Sequence, residues 1–248
     1  MNDIKVIFEK AVELVKECGE LLKNVDYDKE VAIKEDSTIV TKYDMQIDRK
    51  LTEGLKQITD CSVFSEEHAE EQKDTYFIID PIDGTNNFSI GFEYFCIMVA
   101  FVKNKTTLFS IVYAPVLDKM FTAIKGEGAY LNNKKIHVKK QGDRTDGIVS
   151  MANIKSLEYI EKITKSKKKT NIKGLGSTGI SICYTAGGIF DFYVGVNGPH
   201  LWDYIPPKLI IEEAGGVLKY KEIDKGIYNI IAGSKEIVDE INGIIHIV

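Results

Sequence analysis

The chain has 248 residues, long for one small domain and short for two full ones, so one large α/β unit or two fused halves is expected. Its 44% hydrophobic and 28% charged residues are those of a globular protein and exclude disorder, collagen and coiled coil as global descriptions. A net charge of −5 and only two arginines, Arg49 and Arg144, exclude a broad nucleic-acid-binding face and a guanidinium clamp for anions.

In chain order, residues 2–24 carry apolar side chains at three- and four-residue spacing, which predicts an amphipathic helix, and a second is expected over about 42–58. A short strand at 62–64 runs into Ser65-Glu66-Glu67, and the apolar run 76–79 reads as a strand buried on both faces. Strands over 94–102 and 106–114 flank the polar Lys103-Asn104-Lys105, a hairpin pattern, and a strand over 120–124 is closed by Gly126-Glu127-Gly128. The segment 142–147 is the most loop-like. It divides a single unit, 1–248, into an N-terminal α+β half, about 1–142, and a C-terminal α/β half, about 147–248. The second half alternates: strand 147–152, helix 156–166, strand 170–174, helix 177–187, strand 189–196, helix 203–214, strands near 216–220 and 228–232, helix 234–242. Such alternation predicts layered α/β architecture. No run approaches the roughly 20 apolar residues of a membrane span. The opening Met1-Asn2-Asp3-Ile4-Lys5 does not read as a signal peptide. Cys18, Cys61, Cys96 and Cys183 are scattered in apolar settings, as buried thiols of a reducing cytoplasm would be.

The segment Asp80-Pro81-Ile82-Asp83-Gly84-Thr85-Asn86-Asn87-Phe88 carries the strongest chemistry. The strand before it delivers Asp80 to its C-terminal end, where α/β proteins place their sites. Pro81 is expected to stop that strand, and Gly84 allows a tight turn. Asp80 and Asp83 can then converge on one point, where a hard cation relieves their repulsion. Backbone N–H groups after Gly84 would face the same point. Taken alone, an Asx-type turn with two solvated aspartates explains the segment equally well. Three other features favour a site. Glu66, after a short strand, can add a third carboxylate. Asp203, beside Trp202, stands where Pro206 and Pro207 require a helix to begin, and N-capping is its structural reading. Gly174-Leu175-Gly176-Ser177-Thr178-Gly179 fits a strand-to-helix turn; it also matches G-x-G-x-x-G with Asp191 downstream, which leaves an NAD-binding oxidoreductase as a rival. We read it as a substrate-contacting loop. No P-loop, G-x-S-x-G elbow or zinc-ligand histidine spacing occurs.

Glu66-Glu67, Asp80 to Thr85 with Asn87-Phe88, and Trp202-Asp203 with Glu213-Ala214-Gly215-Gly216 resemble, in order and spacing, the inositol monophosphatase-like family. This is the magnesium-dependent, lithium-sensitive phosphatase superfamily that includes fructose-1,6-bisphosphatases. The resemblance implies an α-β-α-β-α sandwich of the sugar phosphatase type, usually a homodimer. It implies that Glu66, Asp80, Asp83, Asp203 and the Ile82 carbonyl hold two or three Mg²⁺. It gives Glu66 and Thr85 the positioning of the attacking water and Gly84 and Thr85 the phosphate. Gly176, Ser177 and Thr178 would contact the alcohol part, with Lys34, Thr41 and Asp44 supporting the metals. The implied substrate is a small polyol or sugar phosphate of the inositol-1-phosphate or fructose-1,6-bisphosphate type, or alternatively histidinol phosphate or another small monoester. Neither nucleic acid nor membrane is an expected partner. A non-catalytic regulator is disfavoured because clustered acids are costly to retain without a cation.

Overall fold

The computed structural model describes residues 2–23, 25, 31–33, 39–68, 73–140, 142, 144–151, 154–167 and 169–248. Helix α1 (Asn2–Lys23) buries Ala11, Val15, Cys18 and Leu22, and α2 (Lys42–Ile58) buries Ile47, Leu51 and Leu55. Spacings of three and four place each set on one helix face. Thr41 caps α2: its hydroxyl accepts from the Tyr43 and Asp44 N–H groups, and Asp44 accepts from the Thr41 N–H at 2.7 Å. Two short strands, β1 (Val31–Ile33) and β2 (Ile39–Thr41), pair antiparallel before α2; three-residue strands carry no readable period.

Seven strands form the first sheet: β3 (Ser62–Ser65), β4 (Thr75–Asp83), β5 (Cys96–Lys103), β6 (Thr106–Ala114), β7 (Lys119–Ile124), β8 (Gly128–Leu131) and β9 (Lys134–Lys135). They lie in chain order; β3 and β4 are parallel and the remaining neighbours antiparallel. The expected hairpin joins β5 to β6, with Asn104 at φ 49° and Lys105 at φ 61°, the left-handed pair that two-residue hairpin turns use. Between β4 and β5 lies α3 (Thr85–Ser89).

The second sheet runs in the order β11 (Thr170–Lys173), β10 (Thr145–Val149), β12 (Phe192–Gly195), β14 (Ile227–Gly233), β13 (Val217–Asp224). Its helices are α4 (Ile154–Ser166), α5 (Thr178–Ala186), α6 (Leu201–Glu213) and α7 (Lys235–Ile245). Helices α1 and α2 cover the outer face of the seven-stranded sheet, with Phe77, Phe101 and Phe109 beneath them. Helices α5 and α6 lie between the sheets, where Met98, Val112 and Phe121 of one meet Tyr193, Tyr228 and Ile230 of the other. Helices α4 and α7 cover the far face of the five-stranded sheet. These layers are the expected α-β-α-β-α sandwich.

Two local expectations need correction. Pro81 does not end its strand: β4 continues to Asp83 through a register shift between Asp80 and Asp83. The irregularity takes the proline, which has no N–H to give, out of the ladder. Helix α6 starts at Leu201, so Pro206 and Pro207 fall beyond its first turn and their missing N–H groups give the Trp202 and Asp203 carbonyls no helical donor. Asp203 is therefore not the N-cap. It sits in the third helical position and accepts from the N–H of the capping residue, His200, at 2.6 Å.

Candidate metal centre and active site

The parallel pairing of β3 with β4 sets Ser65 opposite Ile79. The next residue along each segment is a carboxylate, Glu66 just past the end of β3 and Asp80 within β4, so the register brings two acids to the same end of the pair. Asp80 is 1% exposed, and neither of its carboxylate oxygens has a hydrogen-bond partner among the described residues. Burial raises its pKa well above the ordinary carboxylate range, and the charges of Glu66, Asp83, Asp203 and Asp44 push the same way.

Asp83, three residues on, is buried in a different environment. Its Oδ2 accepts from the Ser177 hydroxyl at 2.5 Å, the Gly179 N–H at 2.7 Å and the Cys96 thiol at 3.4 Å; its Oδ1 accepts from the Thr178 N–H at 3.1 Å. Burial raises its pKa, and these donors oppose the shift. The first turn of α5 is thus laid against a carboxylate. The glycine loop makes this approach possible. Gly176 turns at φ +73°, and a Cβ on it would meet the Asn87 amide at 2.7 Å. A Cβ on Gly179 would meet Met98 Sδ at 2.4 Å and Asp83 Oδ2 at 3.0 Å. The Asn87 amide itself donates to the Tyr94 and Leu175 carbonyls, both at 2.7 Å, tying the turn after Gly84 to the same loop. Asp191, the candidate ribose acid of the oxidoreductase reading, is engaged by Lys139 at 2.9 Å and by the Asp146 N–H at 2.8 Å.

One oxygen each of Asp80, Asp83 and Asp203 lies within 4.8 Å of the others. Burial raises the Asp203 pKa well above normal, with Asp83 and Glu66 adding to the shift and the His200 N–H opposing it. Glu66 is not part of this tight group, yet its charge acts on both Asp80 and Asp203. A cation would relieve a buried carboxylate held among like charges, and an all-oxygen donor set suits a hard divalent one. The residues present fit a metal ion.

Thr85 opens α3 after Gly84, whose φ of 95° a side chain would strain. Its hydroxyl lies 3.0 Å from Asp44 Oδ1 and 2.9 Å from the Ile82 carbonyl. Asp44 Oδ2 also accepts from the Thr41 hydroxyl at 2.5 Å. Burial raises the Asp44 pKa, against the donors Thr41 and Thr85. Thr41, Asp44, Ile82 and Thr85 therefore form one connected unit beside the three carboxylates. Lys34 lies outside the described residues. Ser177 and Thr178, expected to meet substrate, make hydrogen bonds within the protein: Ser177 to Asp83, and the Thr178 hydroxyl to Tyr193 at 3.1 Å. Both arginines sit in ion pairs elsewhere, Arg49 with Glu53 and Arg144 with Asp146, each at 2.8 Å. The sequence offered no signal for Cys96 or Tyr193 as neighbours of the site; both read as core residues. All four cysteines are free thiols, with Cys61 half-buried rather than buried. His200 stacks on Trp202 at 4.8 Å.

A layered α/β protein with an acidic cluster on β4 and α6 that could hold a cation is the class these features define. The family profile described as the inositol monophosphatase family matches residues 3–236. Inositol monophosphatase 1 of Mus musculus is 32% identical over 225 residues, 84% of this chain and 81% of the relative. The inositol monophosphatase of Dictyostelium discoideum is 31% identical over 255 residues, 94% of this chain and 93% of the relative. The solved IMPase of Thermotoga maritima superposes with a TM-score of 0.87 at 28% identity, covering 96% of each chain. The extragenic suppressor SuhB of Bartonella henselae shares the fold, with a TM-score of 0.85 at 24% identity and coverage of 96% of this chain and 97% of that one. The protein is a phosphoric monoester hydrolase. It belongs to the inositol monophosphatase family.

Proposed function

We propose that this phosphatase hydrolyses a small polyol or sugar phosphate monoester, of the inositol-1-phosphate or fructose-1,6-bisphosphate type, with two or three Mg²⁺ held by Glu66, Asp80, Asp83, Asp203 and the Ile82 carbonyl. The observation that carries the proposal is Asp80, a buried carboxylate without a hydrogen-bond partner among the described residues and surrounded by like charges. Bound there, the divalent cations supply Lewis-acid charge to the phosphate and to the attacking water. The relatives' designation as inositol monophosphatases supports a phosphorylated polyol. Free cysteines agree with a cytoplasmic location, and a homodimer is what the family resemblance implies.

The chain's own residues have separate tasks in this reading. Thr85 donates its hydroxyl proton toward Asp44, which leaves its oxygen to accept a hydrogen bond from the water. Asp44, with its pKa raised by burial, is suited to receive the proton that the water gives up. Glu66 orients the same water from the end of β3. The N–H groups of Gly84 and Thr85 bind phosphate oxygens, and Gly176 and Thr178 line the side facing the alcohol. Ser177 instead serves Asp83.

Metal-stripped protein incubated with inositol-1-phosphate, fructose-1,6-bisphosphate and histidinol phosphate, with and without Mg²⁺, tests the proposal by phosphate release. Turnover of a polyol or sugar ester that needs Mg²⁺ is the expected result. Equal release in chelator, or none from any ester at any Mg²⁺ concentration, overturns it.

A further inference from the structure

Helix α2 presents two buried carboxylates one turn apart, Asp44 and Asp48, on the same face. Asp44 holds Thr85, as described. Asp48, 6% exposed, holds the segment that carries Glu66. The Ser65 hydroxyl donates to Asp48 Oδ1, and His68 Nδ1 lies 2.9 Å from Asp48 Oδ2. The turn between them is closed by the Ser65 N–H donating to the His68 carbonyl at 2.9 Å, and the Glu67 N–H reaches the Ser65 hydroxyl at 3.3 Å. Ser65 and His68 therefore flank Glu66 on either side, and one carboxylate fixes both.

We propose that Asp48 is a positioning residue for the metal centre: by clamping Ser65 and His68 it holds the four-residue turn 65–68 so that Glu66 faces Asp80. The inference rests on the reading of Glu66 as a metal ligand. β3 stops at Ser65 and Glu66 has left the ladder, so the strand pairing itself does not hold Glu66. A ligand on an unfixed turn must be ordered each time the ion binds, which weakens binding. Outer partners of metal ligands act in this way, and their removal costs roughly 10–100-fold in affinity. Together the two carboxylates make α2 a rigid jig. Asp44 sets Thr85 and Asp48 sets Glu66, the two residues proposed to orient the water. The helix fixes their separation.

The test is Mn²⁺ binding to metal-stripped protein by calorimetry, with phosphate release measured alongside. Asp48→Ala should weaken Mn²⁺ binding about 10-fold or more, raise the Mg²⁺ concentration for half-maximal turnover, and leave substrate KM at saturating metal little changed. Asp48→Asn should recover most of the affinity, since its amide oxygen can accept from Ser65 and its NH₂ can donate to His68 Nδ1. If Asp48→Ala does not fold, the double variant Ser65→Ala/His68→Ala opens the clamp from the other side and should show the same loss. Glu66→Gln, run in parallel, separates the two ideas. If Glu66→Gln weakens Mn²⁺ binding and opening the clamp does not, the clamp is refuted while the ligand reading stands. If Glu66→Gln binds Mn²⁺ as the wild type does, both are refuted.

Discussion

Replacing Asp80 by Asn should make the metal-free protein more stable while removing its activity. Asp80 lies with Asp83 and Asp203 in a group whose oxygens are within 4.8 Å of one another, and Glu66 adds a further negative charge. At 4.8 Å and an effective dielectric constant near 20, two ionised carboxylates repel by about 3.5 kcal/mol. Against that, the amide brings buried polar atoms of its own at about 1–3 kcal/mol. A net gain of roughly 1–2 kcal/mol remains, which in a chain of this size moves Tm by about 2–8 °C. The assay is thermal unfolding in excess chelator, repeated with Mg²⁺. In chelator the variant should melt above the wild type. Adding Mg²⁺ should raise the wild type more than the variant, because only the wild type keeps the full ligand set. The pH dependence follows from the same group. A carboxyl whose pKa rises on folding binds its proton more tightly in the native state. As pH climbs above the ordinary value of 3.8 toward the raised native value, this group therefore takes stability away. Metal-free wild type should show that loss, and Asp80→Asn should flatten it. A variant that melts at or below the wild type in chelator would refute the view of the cluster as strained without a cation.

Asp83→Asn should have the opposite sign, because that carboxylate accepts from Ser177, Gly179, Cys96 and Thr178. A loss of about 1–3 kcal/mol is expected in chemical denaturation, since one amide end must face a donor. Gly179→Ala should cost about 1–3 kcal/mol by overpacking against Met98 and should also weaken Mn²⁺ binding as α5 is pushed off Asp83; normal metal affinity would contradict the second effect. Thr85→Val should lower kcat by about 10²-fold or more with little change in fold, and Thr85→Ser should restore it; a Val variant with full turnover would remove Thr85 from the reaction.

How far the sequence revealed the site differed from residue to residue. Asp80 and Asp83 were visible because the apolar run before them fixes a buried strand and Gly84 fixes a turn. Glu66 was visible as the residue after a short strand, though its pairing with Asp80 depends on the parallel register of β3 and β4, which no local pattern encodes. Asp203 was found, but its role as the partner of the His200 N–H was hidden because Pro206 and Pro207 were expected within the first turn. The glycines of 174–179 announced a close approach without saying to what; the answer, Asp83, lies 96 residues before Gly179. Asp48, Ser65 and His68 gave no signal. Each is an ordinary polar residue by itself, and their meeting comes from the packing of α2 on β3.

The hydrogen bond from Ser177 to Asp83 joins residues 94 positions apart. That separation sets an order on biogenesis. When β4 first leaves the ribosome, its two aspartates have neither the donors of α5 nor the company of Asp203. The centre is complete only after the second sheet has docked, so the emerging N-terminal half cannot assemble the mature ligand set. A cation held jointly by Asp80, Asp83 and Asp203 would require the chain to be folded through α6. A chain truncated before α5 would retain Asp80 and Asp83 but lack the structure that turns them into a receptor.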